Sequence, residues 1–184
     1  MRQKKALIVL FSILTLALIG SFFIDQNVTN WIVDHRIPIL NLFFVNLTHL
    51  GGFVTVPIFG IIAYLCTKKH KRQIVWIIIT TAIAGVLALV LKYIIARPRP
   101  DVLFLVQEPK TMSFPSGHAT AVFMLLPMIW QTFPRFRWVW LLFASLVAIS
   151  RVYIGVHYLS DVIAGAFLGL TVGLLCLKYQ KKKH

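Results

Sequence analysis

The sequence predicts an all-α fold: an integral-membrane bundle of six transmembrane helices, with a short interfacial segment after the first. Three observations carry this. Of 184 residues, 59% are hydrophobic and 13% charged, with a mean hydropathy of +0.83, whereas soluble domains carry about 25% charged residues. The apolar residues fall into blocks of roughly 20, the length a helix needs to cross hydrocarbon. The net charge of +14 resides in short basic clusters that cap those blocks. No soluble module presents them, which excludes nucleic acid as a partner. The length suits a single membrane-embedded domain over residues 1–184.

The first span follows Arg2, Lys4 and Lys5 and reaches Ile24. No A-x-A-like cleavage site follows it, which argues against a signal peptide. Residues 25–41 mix Asp25, Asn27, Asn30, Asp34, His35 and Arg36 with Trp31, Ile32 and Ile37, the pattern of an interfacial segment with Trp31 at headgroup level. The second span, about Leu42 to Thr67, is interrupted by Gly51-Gly52 and Pro57, which predicts a kink or half-helix, and Lys68, Lys69, Lys71 and Arg72 close it. The third, about Gln73 to Ile95, stops at Arg97-Pro98-Arg99-Pro100, where two prolines forbid helix continuation.

A polar loop over 97–117 leads to the fourth span, which opens at Ser116-Gly117-His118 and runs to about Phe133. Pro134-Arg135-Phe136-Arg137 reads as a tight basic turn. The fifth span is about Trp138 to Tyr153, and the sixth runs from Asp161 to about Leu177 before the tail Lys178, Lys181, Lys182, Lys183. Small residues recur at helical spacing, namely Gly165, Gly169 and Gly173, and Ala84 and Ala88. Such stripes let helix backbones approach closely in lipid. Cys66 and Cys176 lie in apolar runs without zinc-site spacing, so neither a disulfide framework nor a structural metal is implied.

Ionisable residues at membrane depth are functional candidates, because hydrocarbon penalises them. Span parity brings Lys92, Arg99, His118, Arg151, His157 and Asp161 to the face opposite the amino terminus. Singly most have a structural explanation: Lys92 and Arg99 snorkel, Asp161 caps a helix, either histidine is a satisfied interfacial residue. Arg151 is harder to dismiss, because it follows a long apolar run with no basic loop around it. Together they define chemistry. Lys92, Arg99 and Arg151 form a cationic cluster suited to phosphate. Pro115-Ser116-Gly117 opens a helix whose unpaired N–H groups offer an anion site. There Gly117 admits close backbone approach and Ser116 supplies a hydroxyl. Two histidines beside that site suggest one nucleophile and one proton donor. Asp161, four residues after His157, can reach and orient its imidazole. His49, in Thr48-His49-Leu50-Gly51-Gly52, is a weaker candidate for the rim. The five acidic residues are scattered, so a carboxylate-bound metal pair is not provided. No metal and no other cofactor is expected.

These residues resemble the three signatures of the type 2 phosphatidic acid phosphatase family. Lys92, six residues, then Arg99-Pro100 is similar to the first. Pro115-Ser116-Gly117-His118 resembles the second, and Ser150-Arg151, five residues, His157, three residues and Asp161 resemble the third. The resemblance implies that His157 is the nucleophile, that Asp161 orients it, and that His118 protonates the leaving group. It assigns Lys92, Arg99, Ser116, Gly117 and Arg151 to the phosphate oxygens. The family includes soluble vanadium haloperoxidases, but membrane embedding argues against that activity and makes vanadate, tungstate or phosphate an expected inhibitor. The small size and the Thr48–Gly51 turn look similar to bacterial members acting on phosphatidylglycerophosphate or undecaprenyl pyrophosphate. The expected partners are thus a membrane lipid substrate and the bilayer itself. A soluble phosphate ester as substrate, or a non-enzymatic anion-transport role, are the alternatives.

Under the six-span reading, thirteen of the nineteen basic residues and no acidic one fall on the side of the termini. The positive-inside rule then places both termini in the cytoplasm and the site on the extracytoplasmic face.

Overall fold

A computed structural model describes residues 2–52, 55–66, 70–107 and 109–182. Thr67, Lys68 and Lys69, expected to close the second span, Glu108, and the tail residues Lys183 and His184 lie outside the described residues. The elements are α1 (Arg2–Asp34), α2 (Pro38–Leu50), α3 (Thr55–Cys66), α4 (His70–Ile95), α5 (Gly117–Thr132), α6 (Arg137–Tyr153) and α7 (Leu159–Lys182). A single 3-10 turn, Pro134–Phe136, joins α5 to α6, as the basic turn implied. Among the described residues there is no strand.

Boundaries follow the expected punctuation. Pro38 occupies the first turn of α2, where its missing N–H is no loss, and α2 stops at Gly51. The prolines at 98 and 100 leave α4 ending at Ile95. Arg137 begins α6 immediately after the 3-10 turn. The expected kink in the second span is present as two helices, α2 and α3, bent by 61° about the Gly51-Gly52 region.

One expectation is corrected. The interfacial segment after the first span does not begin at residue 25, because α1 continues without interruption to Asp34. Ser21, Asp25 and Thr29 recur every four residues and are all buried. They form a polar stripe facing protein rather than water, so their polarity gives no reason to leave the helix. Ser21 and Thr29 donate their hydroxyls to the Leu18 and Asp25 carbonyls of α1 itself, and Asp25 finds tertiary partners described below.

The centre of the bundle is the α5–α7 pair, with α4, α6 and α1 around it. Gly165, Gly169 and Gly173 face α5 so closely that a Cβ on each would lie 2.5, 2.4 and 2.3 Å from the carbonyl oxygens of Ser116, Thr120 and Met124. The glycine stripe therefore sets the interhelical distance. Met124, Leu125, Ile129, Ala84 and Val172 form the main apolar cluster beneath this contact, and Ala88 is buried as well. Large apolar side chains cover the outside, among them Leu16, Phe23, Leu65 and Ile94, each at least 70% exposed. Only lipid satisfies such a surface.

Among the described residues, four helices are long and apolar enough to cross a bilayer, namely Lys4–Asp34, Arg72–Ile95, Pro134–Tyr153 and Leu159–Gln180, and the bent α2–α3 pair, taken as one span, makes a fifth. The 16 residues of α5 reach about 24 Å, short of a full span by length alone.

Candidate active site

The site is assembled from four chain segments at one end of the bundle. The first is the exit of α4. Ala96 takes a left-handed conformation, φ 47°, costly for a residue with a Cβ, and the chain then folds back on itself: the Ser113 N–H donates to the Arg97 carbonyl at 2.9 Å. This return brings segment 111–113 over the end of α4. Lys92 Nζ donates to the Met112 and Ser113 carbonyls at 2.6 and 3.2 Å. Arg99 donates to the Thr111 carbonyl at 2.9 Å and to that of Val156 at 2.5 Å. Both cations thus brace the loop and the His157 link while remaining within electrostatic reach of Arg151.

The second segment is the start of α5. Ser116 is its N-cap, in extended conformation and with no side-chain cap bond, and its backbone N–H donates to the Asp161 carbonyl at 2.9 Å. Gly117 and His118 follow in the first turn, where helix N–H groups have no intrahelical partner. Gly52 has φ +69°, and a Cβ there would lie 2.8 Å from the His118 ring. Glycine at 52 therefore admits the imidazole as well as the turn. His118 lies within electrostatic reach of Arg151, His157 and Arg99.

The third segment is the end of α6, where Arg151 is 6% exposed and donates to Thr48 Oγ1 of α2 at 2.5 Å. Arg151 Nε and Ser116 Oγ are buried with no hydrogen-bonding partner among the described residues. Buried polar atoms are almost always paired, which marks these two donors as the ones with capacity left for a bound group.

The fourth segment is the α6–α7 link. His157 is 2% exposed and Asp161 0%. His157 Nδ1 stands 3.4 Å from Asp161 Oδ2, which leaves Nε2 as the nitrogen free for chemistry. Asp161 Oδ2 also accepts the Tyr158 N–H at 2.9 Å and the Ser113 hydroxyl. Burial pushes the His157 imidazole down from its usual range to about 3, against the opposing pull of the Asp161 hydrogen bond. His157 is therefore neutral near pH 7, the form a nucleophile requires.

Every residue assigned to the site from sequence thus gathers at this end of the bundle: Lys92, Arg99, Ser116, Gly117, His118, Arg151, His157 and Asp161. His49, the weaker candidate for the rim, is exposed on the last turn of α2 and within electrostatic reach of His118. Several neighbours escaped sequence reasoning. Arg97 donates to Asp161 Oδ1 at 2.9 Å and to Asp25 Oδ2 at 2.8 Å. Ser113 reaches Asp161, and Thr48 receives Arg151. Asp25 was visible as a carboxylate in the stripe Ser21, Asp25, Thr29. Ser113 carried no signal in the sequence, and Thr48 stood out only as part of the Thr48–Gly51 turn, with nothing to pair it with Arg151. Among the described residues, no group of three or more His, Cys, Asp or Glu side chains is placed to hold a metal ion.

The fold and this constellation define a class, and comparison with known proteins gives it a name. The model of the PAP2 superfamily matches residues 73–184, more than half of the chain, and the chain belongs to that family. It is 33% identical over 153 residues to an undecaprenyl-diphosphatase of Sulfolobus acidocaldarius, covering 79% of this chain and 73% of that protein. It is 31% identical over 173 residues to phosphatidylglycerophosphatase B of Bacillus subtilis, covering 86% and 84%. The crystal structure of a transmembrane PAP2-type phosphatidylglycerolphosphate phosphatase from Bacillus subtilis superposes with a TM-score of 0.80 at 28% identity, over 100% of this chain and 98% of that one. The chain is accordingly a membrane-embedded phosphatase of this family.

Proposed function

We propose that the protein is a metal-independent lipid phosphatase that removes a terminal phosphate through a phosphohistidine at the extracytoplasmic face of a cell membrane. Phosphatidylglycerophosphate, giving phosphatidylglycerol, is the first substrate choice. Undecaprenyl pyrophosphate, giving undecaprenyl phosphate, is the second. The observation that carries this is the buried His157–Asp161 pair beside the two unpartnered groups, Ser116 Oγ and Arg151 Nε.

In the first step His157 Nε2 attacks phosphorus, an N–P bond forms and the bond to the leaving oxygen breaks. His118 gives that oxygen its proton. In the second step water, losing a proton to His118, attacks phosphorus; the N–P bond breaks, releasing inorganic phosphate and restoring both histidines. Asp161 stabilises the imidazolium character that develops on His157. Lys92, Arg99, Arg151, Ser116 and the N–H groups at Gly117 and His118 stabilise the charge gathering on the equatorial oxygens. The site needs no cofactor for these steps.

A site at the membrane edge lets the lipid tails stay in the bilayer while the phosphate enters. The reading takes residues 1–184 as one domain with six spans, α5 being the shortest, and both termini cytoplasmic. The basic caps Lys4, Lys5 and Arg72 at one end support this orientation. A lipid phosphate as substrate is supported by the relatives, whose names specify an undecaprenyl diphosphate and a phosphatidylglycerophosphate.

A panel of phosphatidylglycerophosphate, undecaprenyl pyrophosphate, phosphatidic acid and a short-chain soluble ester, assayed with purified protein in EDTA, tests the reading. Activity on the lipids in EDTA with a preference over the soluble ester is expected. Equal kcat/KM for lipid and soluble ester removes the lipid assignment, and a requirement for Mg²⁺ removes the mechanism.

A further inference from the structure

We propose that Asp25, in the first helix and outside the family-matched region 73–184, is a positioning residue for the reaction, acting on Asp161 through Arg97. The inference rests on the phosphohistidine reading above.

Asp25 is 3% exposed although it lies in the helix that starts the bundle. It is 20 residues beyond Lys5, about 30 Å along the helix, which is the thickness of the hydrocarbon. That places it at the level of the site. Its carboxylate makes two kinds of contact. It accepts the Ser160 backbone N–H at 2.9 Å and the Ser160 hydroxyl. Ser160 is the second residue of α7, so its N–H is one of the donors that the helix leaves unsatisfied. Asp25 thus caps α7 from another helix, immediately before Asp161. Its Oδ2 also holds Arg97 at 2.8 Å, while the other arm of that guanidinium holds Asp161 Oδ1 at 2.9 Å. The Tyr158 ring closes one face of Arg97, 4.0 Å from the guanidinium carbon.

The consequence is electrostatic as well as geometric. Arg97 fixes the Asp161 carboxylate so that its other oxygen faces His157, but a cation there also weakens the stabilisation that Asp161 can give an imidazolium. Asp25 offsets that cation. Asp25, Arg97 and Asp161 together leave one net negative charge beneath His157. Without the Asp25 charge the group is neutral, and the developing positive charge on His157 loses its counterion.

A capping role alone and a charge role make opposite statements about Asp25→Asn. Asparagine keeps an amide oxygen for the Ser160 N–H, but it replaces Oδ2, which accepts from Arg97 and the Ser160 hydroxyl, with an NH2 donor, so it removes the charge and the ion pair while retaining the cap. The test compares Asp25→Asn, Asp25→Glu and Arg97→Lys in purified protein, with kcat and KM on a lipid phosphate, phosphate-analogue binding and thermal unfolding. The expected result for Asp25→Asn is a fall in kcat on the order of 10- to 100-fold with KM and vanadate binding close to the parent and a lower Tm from the broken buried ion pair. Partial recovery of kcat is expected in Asp25→Glu. A parental kcat in Asp25→Asn overturns the proposal, as does a loss of kcat that only accompanies loss of Tm and vanadate binding in all three variants. Failure of the phosphohistidine reading is separately visible, as the absence of an acid-labile phosphoenzyme in the parent protein.

Discussion

Gly165 lies against Ser116 so closely that a Cβ at 165 would fall 2.5 Å from the Ser116 carbonyl oxygen. This contact couples two parts of the site. Ser116 opens the helix that carries His118, Gly165 belongs to the helix that carries Asp161, and the Ser116 N–H donates to the Asp161 carbonyl on the same seam. The distance between the proposed acid and the proposed nucleophile is therefore set by a helix–helix contact that only glycine allows.

Lower on the seam, Gly169→Ala places a methyl group 2.4 Å from the Thr120 carbonyl, and backbone cannot yield as a side chain can. The substitution is expected to cost about 1–3 kcal/mol and to lower kcat without touching any group in the site. Thermal unfolding in detergent together with steady-state kinetics reads both; unchanged values show that the helices part without consequence.

His157→Ala is expected to reduce kcat by at least about 10³-fold and to abolish acid-labile ³²P incorporation from labelled substrate. His118→Ala should slow turnover but still allow phosphoenzyme to form from a substrate with a good leaving group. Phosphate release by His157→Ala at the parental rate contradicts the assigned nucleophile.

Ser113→Ala removes one of the donors to Asp161 Oδ2, leaving the Tyr158 N–H on that oxygen and Arg97 on Oδ1. Loss of a single hydrogen bond to a charged group predicts a fall in kcat of about tenfold, with KM unchanged. A larger change in KM than in kcat assigns Ser113 to substrate binding instead.

The buried, neutral His157 also makes stability depend on pH. Its pKa is about 3 in the folded protein against roughly 6.5 when unfolded. Between these values the unfolded chain takes up a proton that the folded one refuses. This contribution is fully present above pH 6.5 and is lost as pH falls towards 3, with a limiting slope of about 1.4 kcal/mol per pH unit. The drop in Tm between pH 7 and pH 5 should be smaller in His157→Gln than in the parent; equal slopes show that His157 is not the group responsible.

Vanadate should inhibit competitively, because a trigonal-bipyramidal oxyanion matches the proposed transition state. Arg151→Lys keeps the charge but loses the planar fork and should weaken that inhibition by about tenfold or more. Vanadate affinity that is indifferent to Arg151 places the oxyanion elsewhere.

Much of this protein is legible in the sequence because the bilayer imposes coarse, one-dimensional rules. A hydrocarbon of fixed thickness selects runs of about 20 apolar residues, and the prolines of Arg97-Pro98-Arg99-Pro100 end a helix wherever it is packed. The site residues stand out for the same reason: a charge such as Arg151 after a long apolar run has no cheap explanation in lipid. The glycine stripe of α7 was readable too, as a surface awaiting a partner. The sequence could not say that the partner is α5.

What the tertiary structure alone decided is the fate of the polar residues whose partners are distant in the chain. Asp25 and Arg97 are separated by 72 positions and Arg151 and Thr48 by 103, and no local spacing encodes such pairs. Asp25 looked like the point where the first helix leaves the membrane, because polarity in a sequence is ordinarily a sign of water. In the fold, its carboxylate is satisfied by Arg97 and Ser160, so the helix runs on to Asp34. The sequence by itself determined which residues are too polar for lipid; packing decided which of them meet one another instead of water.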